Sequence, residues 1–400
     1  MIRSLLFPVL CISLASPLFA GDWMRFRGND GNSMALSADL PTSWDEDNNI
    51  AWQAELPGRG PSSPIVVNGR IFVTSSSGIR QDRLHVLCFD EKSGKKIWER
   101  QMWANGRTMT HEASANAAPT PASDGEHVYA FYSSNDLICY DLDGNLKWYR
   151  GLGYDFPKAG NDIGMASSPV VASETVVVQV ENQGDSFAAG IDTNTGETRW
   201  RIERVKQSNW SSPTLTKSKD GRDVVLLKSS EGLTARDIVT GEELWSFKAS
   251  AGNVPSILAI GDLVYLPADQ LTVLKVGETP DPEVKWASTR VRPGSASPIA
   301  HNNEVYAIGS SILTCADGET GDVKWKLRLK GDFWATPILT NDYLYCISLD
   351  GVAQVVKLGE KGKVAATSEF GETIQGSPAV ANNAMFVRSD KHLWKIAATK

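Results

Sequence analysis

Five times this chain writes an aspartate, two or three further residues, a glycine and, four positions after the glycine, a tryptophan. The copies are "DEKSGKKIW" from Asp90, "DLDGNLKW" from Asp141, "DTNTGETRW" from Asp192, "DIVTGEELW" from Asp237 and "DGETGDVKW" from Asp317. Each follows an alternating or continuous apolar run ("HVLCF", "DLICY", "AAGI"), as a strand with a buried face does. An aspartate at a turn start accepts bonds from amides two residues on, and glycine supplies a positive φ. The unit therefore reads as strand, tight turn, strand, with a Trp at a fixed place on the second strand. A catalytic motif has no need of five copies, so the pattern is a structural repeat and its Trp a packing element.

A second signature sets the period. A small residue and a proline open an apolar run at Pro64, Pro119, Pro169, Pro213, Pro255, Pro298, Pro337 and Pro378, spaced 39 to 55 residues apart. That spacing is the length of one four-stranded propeller blade. A proline can open a strand because its missing donor costs no ladder bond there. The eighth unit, "GSPAVANNAMFVRSDKHLWKIAATK", holds three strands only, and "NNIAWQAEL" from Asn48 offers the missing one, with Trp52 four residues after Asn48. The expected fold is all-β: an eight-bladed β-propeller of four-stranded antiparallel blades, closed by an N-terminal strand that completes the last blade. Closure removes the free sheet edges that invite aggregation. The turn Gly or the Trp is degenerate in two units, at "VGETPDPEVKW" and at Ala366.

The domain reading is a signal peptide at 1–20, an extension at 21–47 and a single propeller at 48–400, with truncation before Asp45 expected to be tolerated. The first 20 residues carry Arg3, an apolar stretch and Ala20, as a secretory signal does. The protein is thus expected to be exported, periplasmic or secreted. It is not expected to be lipid-anchored, because Leu10 precedes Cys11 where a small residue is needed. No segment is apolar and long enough to span a bilayer. With 42% apolar residues among 400 there is ample core, and a net charge of −7 without a basic run argues against a nucleic-acid partner.

Cys88, Cys139 and Cys315 share one repeat position, two before the turn Asp, where other copies have Gly190 and Ala235. A position accepting Cys, Gly and Ala faces a tight neighbour. These thiols and Cys346 are expected to be buried and free. No Cys/His set has metal-ligand spacing, so no metal is expected.

The repeated Asp-x-x-Thr-Gly-x-x-x-Trp with Ser-Pro-[Val/Ile]-Val resembles the PQQ-type (pyrroloquinoline-quinone) β-propeller repeat over residues 48–396, and "DWMRFRGNDGNS" resembles the start of exported bacterial members. In that family the Trp docks between blades, which here implies Trp52, Trp98, Trp148, Trp200, Trp245, Trp286 and Trp325. The resemblance leads to two branches. One is that of quinoprotein dehydrogenases, with PQQ above the channel, a stacking Trp, a vicinal Cys–Cys disulfide and a calcium site. The chain has no Cys–Cys pair, and no calcium triad or catalytic residue can be placed, so PQQ lacks its usual binding residues. The other branch is similar to the outer-membrane assembly factor BamB family, which binds partners through loops and edges. The expectation is an exported, non-catalytic, monomeric scaffold without cofactor that binds an envelope protein or a small ligand. The alternative is a PQQ-dependent quinoprotein-like oxidoreductase.

A site is expected where the loops lead into the inner strands. The two longest such loops, 101–117 and 149–167, include His111 and Glu112, an acid–base or metal-binding pair if they are not simply solvated. Residues three before each blade proline should stand at the channel mouth: Pro61, Asn116, Ala166, Trp210, Gly252, Ser295, Trp334 and Gln375. Trp210 and Trp334, with Asn116 and Gln375, suit a flat or sugar-like ligand, or else plug the channel.

Overall fold

The structure, a computed structural model, describes residues 21–160, 163–277 and 281–398; the expected signal peptide lies outside them. Eight four-stranded antiparallel sheets follow one another around a ring, the first seven with their strands in sequence order. The first blade is Ile65–Val67, Arg70–Ser77, Arg83–Asp90 and Lys96–Trp103, inner to outer. The eighth combines Ala379–Ala381, Ala384–Arg388 and His392–Ile396 with Ile50–Glu55 from the other end of the chain. Gln53 pairs with Trp394 and Glu55 with His392 in that closing ladder.

The third blade shows why the repeat has its spelling. Asp192 Oδ1 accepts the N–H groups of Asn194 and Thr195 at 2.9 and 3.0 Å, and Gly196 turns the chain at φ 73°. A bulge between Gly190 and Ile191 then sets Trp200 directly across from Gly190. Trp200 leaves its own blade: its Nε1–H donates to Ile238 O of the fourth blade at 2.8 Å, and its ring lies against Gly241. A Cβ on Gly241 would stand 2.6 Å from that ring. The glycine thus serves twice, for its positive φ (74°) and for the room it leaves the preceding blade's indole. Trp52, Trp98, Trp148 and Trp286 make the same bond, to Glu91, Leu142, Thr193 and Gly318, at 2.7–3.1 Å. Trp325 lies against Gly362, and Trp245 is half-buried beside the fifth blade. Cys88, Cys139 and Cys315 are cross-strand partners of Trp98, Trp148 and Trp325, the tight neighbour in these blades, whereas Val273 and Lys395 take the same place across from Trp286 and Trp52. All four described thiols are free and buried.

The seam from blade seven to blade eight lacks the repeat Trp. Ala366 stands in its place, across from Val355. Trp44 of the N-terminal segment serves here instead. It is buried in one cluster with Tyr345 and Val355 of blade seven and Trp394 of blade eight. Its N–H donates to Ser368 Oγ at 2.9 Å, and its ring lies 5.6 Å from that of Phe370.

The contacts of the chain before Asp45 argue against its being dispensable. Residues 22–40 run through the channel and across its far face, pairing with inner-strand edges that would otherwise be bare. Trp23 exchanges two bonds with Val66 in blade one, Met24 O accepts from Ser123 in blade two, and Arg25 donates to Val171 O in blade three. Arg27 reaches Ile257 O in blade five, and Leu339 in blade seven bonds Ser33 and Ala35. Buried backbone groups need partners, and a ring with unpaired inner edges gains them from this segment.

Candidate functional site at the channel mouth

The open end of the channel is built by one hydroxyl residue per blade. Ser63 N–H donates to Thr120 Oγ1, Thr120 N–H to Ser168 Oγ, and so on through Ser212, Ser256, Ser297 and Thr336 to Ser377. These seven bonds, 2.9–3.2 Å long, stitch blade one through blade eight. Seven of the eight hydroxyl oxygens, all but that of Ser63, accept from the preceding blade, so their own protons remain to be donated elsewhere.

Two residues before each hydroxyl stands the rim: Pro61, Ala118, Ala166, Trp210, Val254, Ser295, Trp334 and Gln375. Six of these positions agree with the sequence reading and two correct it. In blade two the strand-opening proline is Pro121, since Thr120 carries the belt hydroxyl and Ala122–Ser123 is the strand. Asn116 is therefore displaced from the rim. It is buried, with its side chain bonded to Gln81 O and Ser134 N. In blade five Ile257 occupies the proline's place after Ser256, so Val254 lines the mouth and Gly252 does not.

Rim and belt enclose a cavity of about 450 Å³. Phe26 of the channel-filling segment contributes to its wall, and His111, Ala113, Ser114 and Ile163 come in from the two long loops. The loops are tied over one side of the mouth. Gln375 Nε2 donates to Ala113 O at 2.6 Å, Arg59 to Glu112 O at 2.7 Å, and His111 N–H to Ile163 O at 3.2 Å. Trp210 is fixed from the same direction, its Nε1–H donating to Gly164 O at 2.8 Å. Trp334 is 47% exposed. His111 Nδ1 accepts the Ala113 N–H at 3.1 Å, which leaves Nε2 as the donor nitrogen of a neutral ring. Glu112 does not line the cavity, so the expected His–Glu pair does not converge there.

The described lining holds no Asp, Glu, Lys or Arg. It can stack on indole faces and donate from hydroxyls, and His111 is the one described lining residue that can carry a positive charge. Among the described residues, no three His, Cys, Asp or Glu come together as metal ligands.

The sequence profile of the family described as "Outer membrane protein assembly factor BamB" matches residues 30–185 and 85–270 of this chain. The BamB of Moranella endobia is 23% identical over 268 residues, which cover 62% of each chain. A polyvinylalcohol dehydrogenase of a Pseudomonas species is 22% identical over 391 residues, covering 78% of this chain and 57% of that one. The chain thus spans about three-fifths of the length of these two relatives. The crystal structure of BamB from Moraxella catarrhalis superposes with a TM-score of 0.63 at 16% identity, over 86% of this chain and 96% of that one, a likeness of fold.

Proposed function

For a chain that belongs to the family described as outer membrane protein assembly factor BamB, we propose a non-catalytic role in the cell envelope: a propeller whose channel mouth binds an uncharged, oxygen-bearing ligand such as the end of a glycan or polyol. The observation that carries this reading is the uncharged lining, two indoles above a belt of hydroxyl donors. Its volume falls within the roughly 300–1,000 Å³ of small-molecule sites. Hydroxyl protons satisfy ether and hydroxyl oxygens, and an indole face covers the apolar side of a sugar ring.

PQQ fits these residues poorly. It is a quinone bearing three carboxylates, and the described lining offers no Lys or Arg to receive them. No redox step is therefore assigned to the site.

Tryptophan fluorescence tests the reading, titrated with neutral oligosaccharides, short polyvinyl alcohol and PQQ. Saturable quenching by a neutral compound and none by PQQ is expected. Saturation by PQQ alone would overturn the proposal in favour of the quinoprotein branch.

A second occupant is favoured by the loops around the mouth. Trp103, Met109, Tyr154 and Ile163 on the two long loops are largely exposed, as residues of a protein-docking surface are. An envelope protein bound there would cover the mouth from the side of blades one to three.

A further inference from the structure

The channel-filling segment carries a buried cation that faces no carboxylate. Arg27 is 2% exposed, and one of its nitrogens, Nη2, bonds Ile257 O. Its Nε and Nη1 are buried with no partner among the described residues. Lys228, at the end of Asp223–Ser229 in blade four, is 1% exposed and bonds Pro255 O. The two cations therefore hold the carbonyls on either side of Ser256, a belt residue whose oxygen accepts from Ser212 N–H and whose proton is unassigned.

The acid nearest this pair is already engaged. Glu181 accepts from Arg204 at 2.6 Å and from Asn209 at 2.9 Å. Counting Arg27, Lys228 and Arg204 against Glu181, this buried region carries two positive charges more than negative when Lys228 is protonated. A buried charge without a partner costs several kcal/mol, and a protein with one gains by admitting a counter-ion.

We propose that the filled half of the channel is an anion site, in which a chloride-sized monoanion is held between Arg27 and Lys228 beside Ser256. The site adjoins the mouth, whose cavity Ser256 also lines. Its donors are the free Arg27 nitrogens, the remaining Lys228 protons and the Ser256 hydroxyl.

The test is thermal unfolding at one ionic strength with sodium chloride replaced stepwise by sodium gluconate, whose anion is too large to enter. Wild type should melt about 2 °C or more higher in chloride, with a saturating dependence. Arg27→Met should abolish the difference between the two salts. Bromide-soaked crystals of the wild-type protein keep the proposal testable should that variant fold poorly: an anomalous peak is expected in contact with Arg27. Equal melting of wild type in both salts, a chloride effect that survives Arg27→Met, or a bromide map with no peak at Arg27 would each overturn the site.

Discussion

Gly190 and Trp200 face each other across one ladder rung so closely that a Cβ on the glycine would lie 2.2 Å from the indole nitrogen. Room, not backbone freedom, makes this glycine necessary, because its φ is not in the left-handed region. Gly190→Val should push the indole out of its seat against Gly241 and cost about 1–3 kcal/mol, the range for overpacking a core. Urea unfolding measures this, and an unchanged midpoint would mean that the seam absorbs the volume.

Trp200→Ala removes the indole itself, with its bond to Ile238 O. The expected loss is about 3–5 kcal/mol, as for other buried aromatics. In the double variant the Gly190→Val penalty should shrink towards zero, since the clash needs both partners. Additive losses in the cycle would show that the two residues do not act on each other.

Trp44 closes the one seam that lacks a repeat tryptophan, and residues 22–40 pair with inner edges of the ring. Removing residues 21–44 should therefore lower the melting temperature sharply and promote aggregation. Trp44→Ala alone should cost about 3–5 kcal/mol. Calorimetry and light scattering read both, and a soluble truncated monomer with wild-type melting would refute the role given to this segment.

The ring was legible from sequence because its signals are local. Asp and Gly shape each turn, Trp sits at a constant offset from the same Gly, and the strand count falls one short only at the end that Ile50–Glu55 completes. What escaped had no period to betray it. The channel-filling segment is a single copy, and Trp44 matches no repeat position. The rim was misread in two blades, because Pro119-Thr120-Pro121 offers two prolines and blade five has Ile257 in the proline's place. A usable signal was present. One Ser or Thr per unit precedes the strand opening, and reading it as an acceptor rather than merely as a small residue places Ala118 and Val254 on the rim without a structure.

Lys228 gives the fold a dependence on pH. Burial lowers its ammonium to about 7, against the attraction of Glu181 and with a further push from Arg27. The unfolded chain then holds this proton up to about pH 10.5, whereas the folded protein releases it from about pH 7 upward. Between those values the unfolded state binds more protons, so stability rises with pH. From pH 7 to 9 the gain attributable to Lys228 is about 2 kcal/mol, and Lys228→Met should erase it while raising stability at pH 7. Burial moves the thiols of Cys88, Cys139 and Cys315 up to about 12, an opposing trend above pH 9 that is common to both proteins. Parallel curves for wild type and Lys228→Met in gluconate buffer would contradict this assignment.

The central claim is that the mouth between Trp210 and Trp334 is a binding site for an uncharged ligand. Isothermal titration of wild type and the Trp210→Ala, Trp334→Ala double variant, with the neutral oligosaccharide that quenches wild-type fluorescence most, tests it directly. Each stacked indole contributes about 1–3 kcal/mol, judged from aromatic stacking on nucleobases, so the double variant should bind roughly a hundredfold or more weakly. It should still melt as a folded propeller, because neither residue occupies a blade-docking position. Undiminished binding by that folded variant would place the site elsewhere and contradict the account.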